Sequence, residues 1–147
     1  MGFLCRNVGT WALAVVVAVL VVLLVAGDLL SWSPVVIAGQ LLAVAGMVWA
    51  RRSFPPATFG VTAAPRGTAV IEKGPYRWVR HPQYAGMLVL VWAGVLAHRS
   101  PLSLAAGGVL LVVVALRVPC EERALRERLP GYADYASRTK RLIPFVI

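Results

Sequence analysis

Acidic side chains are scarce in this sequence: six, against fifteen basic ones, in 147 residues. Histidine is scarcer (His81 and His98), and so is cysteine (Cys5 and Cys120). Two histidines and two distant cysteines give no metal-ligand spacing, so no metal site is expected. Both cysteines fall on the side assigned below to the cytoplasm, where free thiols are expected. Lysine stands only at 73 and 140, so arginine carries the positive charge. With many Ala, Val and Gly, that usage points to a GC-rich prokaryotic genome and a plasma membrane. Charged residues make up only 14% of the chain and hydrophobic residues 59%, with a mean hydropathy of +0.76. Such a balance excludes an ordinary soluble domain and describes an integral membrane protein. The net charge of +9 does not imply nucleic acid, because the charges cluster beside apolar runs, where a membrane surface is the simpler partner.

Residues 7–27 and 29–50 carry no charge at all. At about 1.5 Å rise per residue each is long enough for a hydrocarbon core of about 30 Å. The first is expected to be a retained helix and not a cleaved signal peptide, since a second apolar stretch follows at once. Residues 82–97 and 101–116 are shorter apolar segments joined by His98-Arg99-Ser100, which predicts a helical hairpin whose first helix starts at Pro82, a favoured first helical position. Between these pairs, residues 51–81 hold Pro55, Pro56, Gly60, Pro65 and Gly67 and read as an irregular connector. From Arg117 onward the chain is charged and amphipathic, as interfacial segments are. The predicted fold is therefore all-α and polytopic: one membrane-embedded domain, 1–147, with about four transmembrane helices and a cytoplasmic tail, 117–147. Basic residues crowd the connector and tail, whereas the two opposite turns hold only Arg99. The positive-inside rule then puts both termini and the connector in the cytoplasm.

The connector ends in Gly74-Pro75-Tyr76-Arg77-Trp78-Val79-Arg80-His81-Pro82-Gln83-Tyr84-Ala85-Gly86. The residues before Pro75 and Pro82 are pushed out of the α region, which brackets a polar, aromatic and basic run at a membrane edge. Thr68 to Ile71 before it is a short run with a preference for extended backbone. Beyond the fourth apolar segment, Arg117 and Glu121 are four apart and share a helix face. A charged pair at that depth calls for a partner or ligand. The plainer readings give Arg77 and Arg80 to topology or lipid phosphate, Trp78 to an interfacial belt, and Glu122, Arg123, Arg126, Glu127 and Arg128 to a solvated face.

The thirteen-residue run resembles the signature of the isoprenylcysteine carboxyl methyltransferase family, related to phospholipid methyltransferases. Glu121-Glu122-Arg123-Ala124-Leu125 resembles that family's Glu-Glu-x-x-Leu element, and Gly131, Tyr135 and Arg141 to Pro144 its basic tail. The resemblance covers about residues 68–144. It implies a membrane methyltransferase using S-adenosyl-L-methionine at the cytoplasmic face. By position, Thr68, Ala69, Val70, Ile71, Tyr76, His81, Pro82, Gln83, Tyr84 and Glu121 would bind the cofactor. Arg117 would engage the substrate near the transferred methyl, with Glu121 beside it in the catalytic set. The acceptor would be a lipophilic small molecule or prenylated substrate, with a carboxylate as nearest precedent. Tyr76, Trp78 and Tyr84 could shield a sulfonium by cation–π contact. Fewer helices than in the larger eukaryotic enzymes set this chain apart from them. Two other readings remain open: a sterol-type reductase of similar architecture using NADPH, and a membrane scaffold without catalysis.

Overall fold

The computed structural model describes residues 2–54 and 70–142. These form five α-helices: α1 (Gly2–Val25), α2 (Pro34–Arg52), α3 (Pro82–His98), α4 (Pro101–Arg128) and α5 (Tyr132–Arg138). A 3₁₀ turn, Gly74–Arg77, precedes α3. No strand is present among the described residues beyond one isolated parallel bridge between Val79 and Lys140.

Proline starts three of these helices. Pro34, Pro82 and Pro101 each occupy the first helical position, where the missing N–H leaves no bond unmade and the fixed φ suits the helix. Ser100 also caps α4, its hydroxyl accepting from the Ser103 N–H at 3.0 Å. α2 begins later than the charge-free stretch 29–50, because the chain first turns back: the Asp28 and Leu29 N–H groups both bond to the Leu23 carbonyl. α4 runs well past residue 116 and carries Pro119 inside it. Its 28 residues reach about 42 Å at 1.5 Å each, longer than the hydrocarbon core of about 30 Å, so its charged turns extend beyond the apolar part. Cys120 is disulfide-bonded and not the free thiol expected of it.

The helices pack in the spatial order α2, α3, α4, α1. Val19 and Leu23 of α1, Val91 and Val95 of α3, and Leu110 and Val114 of α4 form the main core. Buried Gln40 clamps α2 to its neighbours, donating from Nε2 to the carbonyls of Leu29 (2.7 Å) and Leu90 (3.2 Å). At the same end Ser100 donates to the Asp28 carboxylate, tying the two turns together. The outer surface is strongly apolar: Trp32 is 96% exposed and Val25 83%. Patches of this size require cover. α2 and α4 are long and apolar enough to cross a membrane, whereas the apolar Trp11–Val25 part of α1 is shorter.

Gly86 lets α2 and α3 approach, since a Cβ there would collide with the Met47 side chain and press on the Ala43 carbonyl. Replacing Gly86 by leucine is expected to destabilise the fold by about 1–3 kcal/mol, the usual range for overpacking. Thermal unfolding in detergent checks this, and an unchanged midpoint would refute it.

Candidate functional site

The site is assembled by three segments converging at one end of the bundle. Gly74 takes φ +60°, a left-handed conformation that favours glycine, and its Cα packs against Ser53 and Trp49. The 3₁₀ turn buries Tyr76, whose ring meets Phe54 edge-on at 5.0 Å and whose carbonyl accepts from Tyr135 Oη at 2.6 Å. Burial pushes the Tyr135 phenol up to about 12, so it remains a donor at neutral pH. The tail then returns alongside the motif. Arg80 N–H donates to the Lys140 carbonyl (2.7 Å), His81 N–H to that of Arg141 (2.9 Å), and Lys140 N–H to that of Trp78 (3.0 Å). His81 takes a non-helical conformation, and Pro82 opens α3.

α4 supplies the acidic and basic partners. Arg117 and Glu121 stand one turn apart, 3.8 Å between Nε and Oε2, with Tyr84 of α3 between them. Tyr84 Oη donates to Glu121 Oε2 at 2.7 Å and accepts from Arg117 Nε. The Arg117 guanidinium also lies over the Tyr84 ring, 5.7 Å from its centre. The His81 ring is 5.6 Å from the Tyr84 ring. Glu121 keeps a quarter of its side chain exposed.

Glu122, one residue on and about 100° round the helix, serves a second cluster. It is buried and receives Arg80 Nε at 2.7 Å and Arg141 Nε at 3.3 Å. His81 Nε2 approaches it at 3.5 Å, longer than a normal hydrogen bond. Arg80 also donates from one terminal nitrogen to the carbonyls of Ala136 (2.6 Å) and Thr139. Burial pushes the Glu122 carboxyl up, but His81 and Arg80 more than reverse this and hold it at about 2. A carboxyl lowered from 4.5 in this way contributes stability that is complete above that value and is lost as pH falls toward 2. The midpoint of thermal unfolding is therefore expected to fall between pH 4.5 and 2, and to fall less in Glu122→Gln. Equal acid sensitivity in both proteins would contradict this.

The structure thus brings together His81, Tyr84, Arg117 and Glu121 as the sequence suggested, and leaves other expected residues apart. Gln83 is spent on the Met47 carbonyl at 2.9 Å. Val70 packs against Leu129, Tyr132 and Tyr135, and neither Val70 nor Ile71 is in a strand. Thr68 and Ala69 lie outside the described residues. The three aromatic rings do not make a cage: Tyr76 is covered by Phe54, Trp78 carries Arg77 at 4.7 Å, and Tyr84 carries Arg117. Glu122 and Arg80 are not surface charges but the buried pair of the site. The sequence held one signal for them, two adjacent glutamates in a chain so poor in acids. Arg123, Arg126, Glu127 and Arg128 are exposed, as expected of a solvated face.

His81 Nε2 and Tyr132 Oη are buried without a hydrogen-bond partner among the described residues. Buried polar atoms are nearly always satisfied, so orphans beside a charged cluster suit a ligand. An apolar groove of about 460 Å³ lies elsewhere, toward the α1–α2 turn, lined by Leu29, Trp32, Ile37 and Gln40 among others.

Motif, buried carboxylates and membrane-length helices together define a class, and the sequence comparisons agree with it. Residues 29–127 match the isoprenylcysteine carboxyl methyltransferase (ICMT) family, and the chain belongs to that family. Methanethiol S-methyltransferase of Mycobacterium tuberculosis is 38% identical over 71 residues, 48% of this chain and 28% of that protein. The uncharacterized protein YpbQ of Bacillus subtilis is 27% identical over 62 residues, 42% of this chain and 37% of that protein. The matches thus span about a third of the length of these curated relatives. No solved structure matches the chain.

Proposed function

We propose that this chain is a membrane-embedded, S-adenosyl-L-methionine-dependent methyltransferase whose acceptor is lipophilic. The single observation that carries the proposal is the Arg117–Tyr84–Glu121 chain beside His81, held where α4 leaves its apolar part. Membership of the family supports the reading, as does likeness to a protein named as a methanethiol methyltransferase. The whole chain, 1–147, acts as one domain: α1 to α4 cross the membrane, and the connector, tail, both termini and site face the cytoplasm. The basic connector and tail support this orientation.

When bound, the cofactor supplies an electrophilic methyl group on a sulfonium. The donor set fits such a group: Glu121 offers a partly exposed carboxylate, and Tyr132 Oη is a buried polar atom without a hydrogen-bond partner among the described residues. Glu121, His81, Tyr84 and the backbone at Pro82 would hold the cofactor, with Tyr76, Gln83, Val70 and Ile71 shaping the wall behind them. Thr68 and Ala69 keep that role by position. Arg117 would orient the acceptor and balance its negative charge. Such positioning in a water-poor site is the main source of rate for a displacement of this kind.

A carboxylate acceptor is already ionised at pH 7 and needs no base, and the nearest precedent is the carboxyl group of a prenylated cysteine. The named thiol methyltransferase relative brings a thiolate within the same chemistry. Calorimetry of S-adenosylmethionine and of NADPH with detergent-purified protein tests the proposal. Micromolar S-adenosylmethionine binding, reduced about tenfold or more in Glu121→Ala by loss of a charged hydrogen-bond partner, is expected. NADPH binding alone, or binding untouched by the substitution, would overturn it.

A further inference from the structure

The side chains of the arginine that ends the 3₁₀ turn and the tryptophan after it take no part in the site just described. Arg77 holds its guanidinium 4.7 Å over the Trp78 ring, and the Trp78 ring meets Trp49 of α2 edge-on at 6.1 Å. Both tryptophans are about half exposed, Trp49 at 51% and Trp78 at 43%. Gly74 packs against Ser53 and Trp49, which brings exposed Lys73 alongside the end of α2. Arg52 is three residues beyond Trp49 and so shares its helix face. Glu72 is the one carboxylate among the described residues of this connector, and it faces Arg138 at 3.5 Å.

We propose that Trp49, Arg52, Lys73, Arg77 and Trp78 form a seat for the phosphate of an anionic phospholipid at the membrane edge beside the site. The proposal rests on the membrane reading of the chain. Half-exposed indole rings suit the headgroup level, where one part of the ring is dry and the other wet. A guanidinium stacked on an aromatic face keeps its in-plane donors free for phosphate oxygens. Arg52, Lys73 and Arg77 outnumber Glu72, the one carboxylate of the connector, which faces Arg138, so a net-negative lipid is favoured over a zwitterionic one.

The test uses full-length protein in nanodiscs of mixed phosphatidylcholine and phosphatidylglycerol, with the lipids retained on release counted by native mass spectrometry. Wild type is compared with a seat variant, Arg52→Gln, Lys73→Gln and Arg77→Gln together. A charge-matched control carries Arg123→Gln, Arg128→Gln and Lys140→Gln. Wild type and control are expected to retain phosphatidylglycerol preferentially. The seat variant should lose that preference, by about fivefold for each basic residue removed. Equal loss in the control, equal retention of both lipids by wild type, or stripping by excess soluble glycerol phosphate would each overturn the seat. Failure of the wild-type protein to enter the discs would overturn the seat and the membrane reading together.

Discussion

Glu122→Ala is expected to destabilise the protein by about 3–5 kcal/mol, the usual cost of breaking a buried ion pair from one side. The Arg80 side chain, 8% exposed, would keep its bonds to the Ala136 and Thr139 carbonyls but lose its counter-charge. The change would also release Arg141, and with it the tail that pairs with the motif at Arg80 and His81. Replacing both partners, as Arg80→Met with Glu122→Leu, should cost much less than the two single changes added together. Denaturant unfolding in detergent gives all four values of the cycle. Simple additivity, or a loss below about 1 kcal/mol for Glu122→Ala, would mean that the pair is not the lock it looks to be.

The second large effect concerns rate and not stability. Arg117→Ala is expected to lower the turnover of methyl transfer by about a hundredfold, because the acceptor loses its alignment with the sulfonium methyl. KM for the cofactor should change only a few-fold, because Arg117 is assigned to the acceptor. Glu121→Ala should show the opposite split, chiefly raising KM for the cofactor. Tyr84→Phe removes the hydroxyl that links them and should fall between, at about tenfold in turnover for one lost hydrogen bond. A common loss in all three, tracking their unfolding midpoints, would indicate a structural role only.

Much of this was readable from the chain before the coordinates. The charge-free runs located α2 and α4, and Pro82 marked the start of α3, because proline and charge act locally; the start of α2 at Pro34 was missed, since Pro34 read as part of the turn. The spacing of Arg117 and Glu121 placed both on one face, and the His81-Pro82 break put Tyr84 on the first turn of the facing helix. What escaped was set by distance along the chain. Arg80 meets Glu122 at a separation of 42 positions, and the tail pairs with the motif across some sixty, so neither shows in any periodic pattern. The same blindness made Arg80 resemble a lipid-facing charge and Glu122 a solvated one. The neighbours of the aromatic rings were hidden for a related reason: Tyr76 meets Phe54 and Tyr84 meets Arg117 only because the chain folds back.

The most direct measurement is transfer of a labelled methyl group. Protein in proteoliposomes would be incubated with methyl-labelled S-adenosylmethionine and a set of lipophilic carboxylates and thiols, with Arg117→Ala and Glu121→Ala alongside. Label in an organic-extractable ester or thioether, formed by wild type and, with S-adenosylmethionine below its wild-type KM, lost in both folded variants, is the expected result. Transfer at the wild-type rate by either variant, or none from folded wild-type protein to any acceptor, would contradict the methyltransferase built on Arg117, Tyr84 and Glu121.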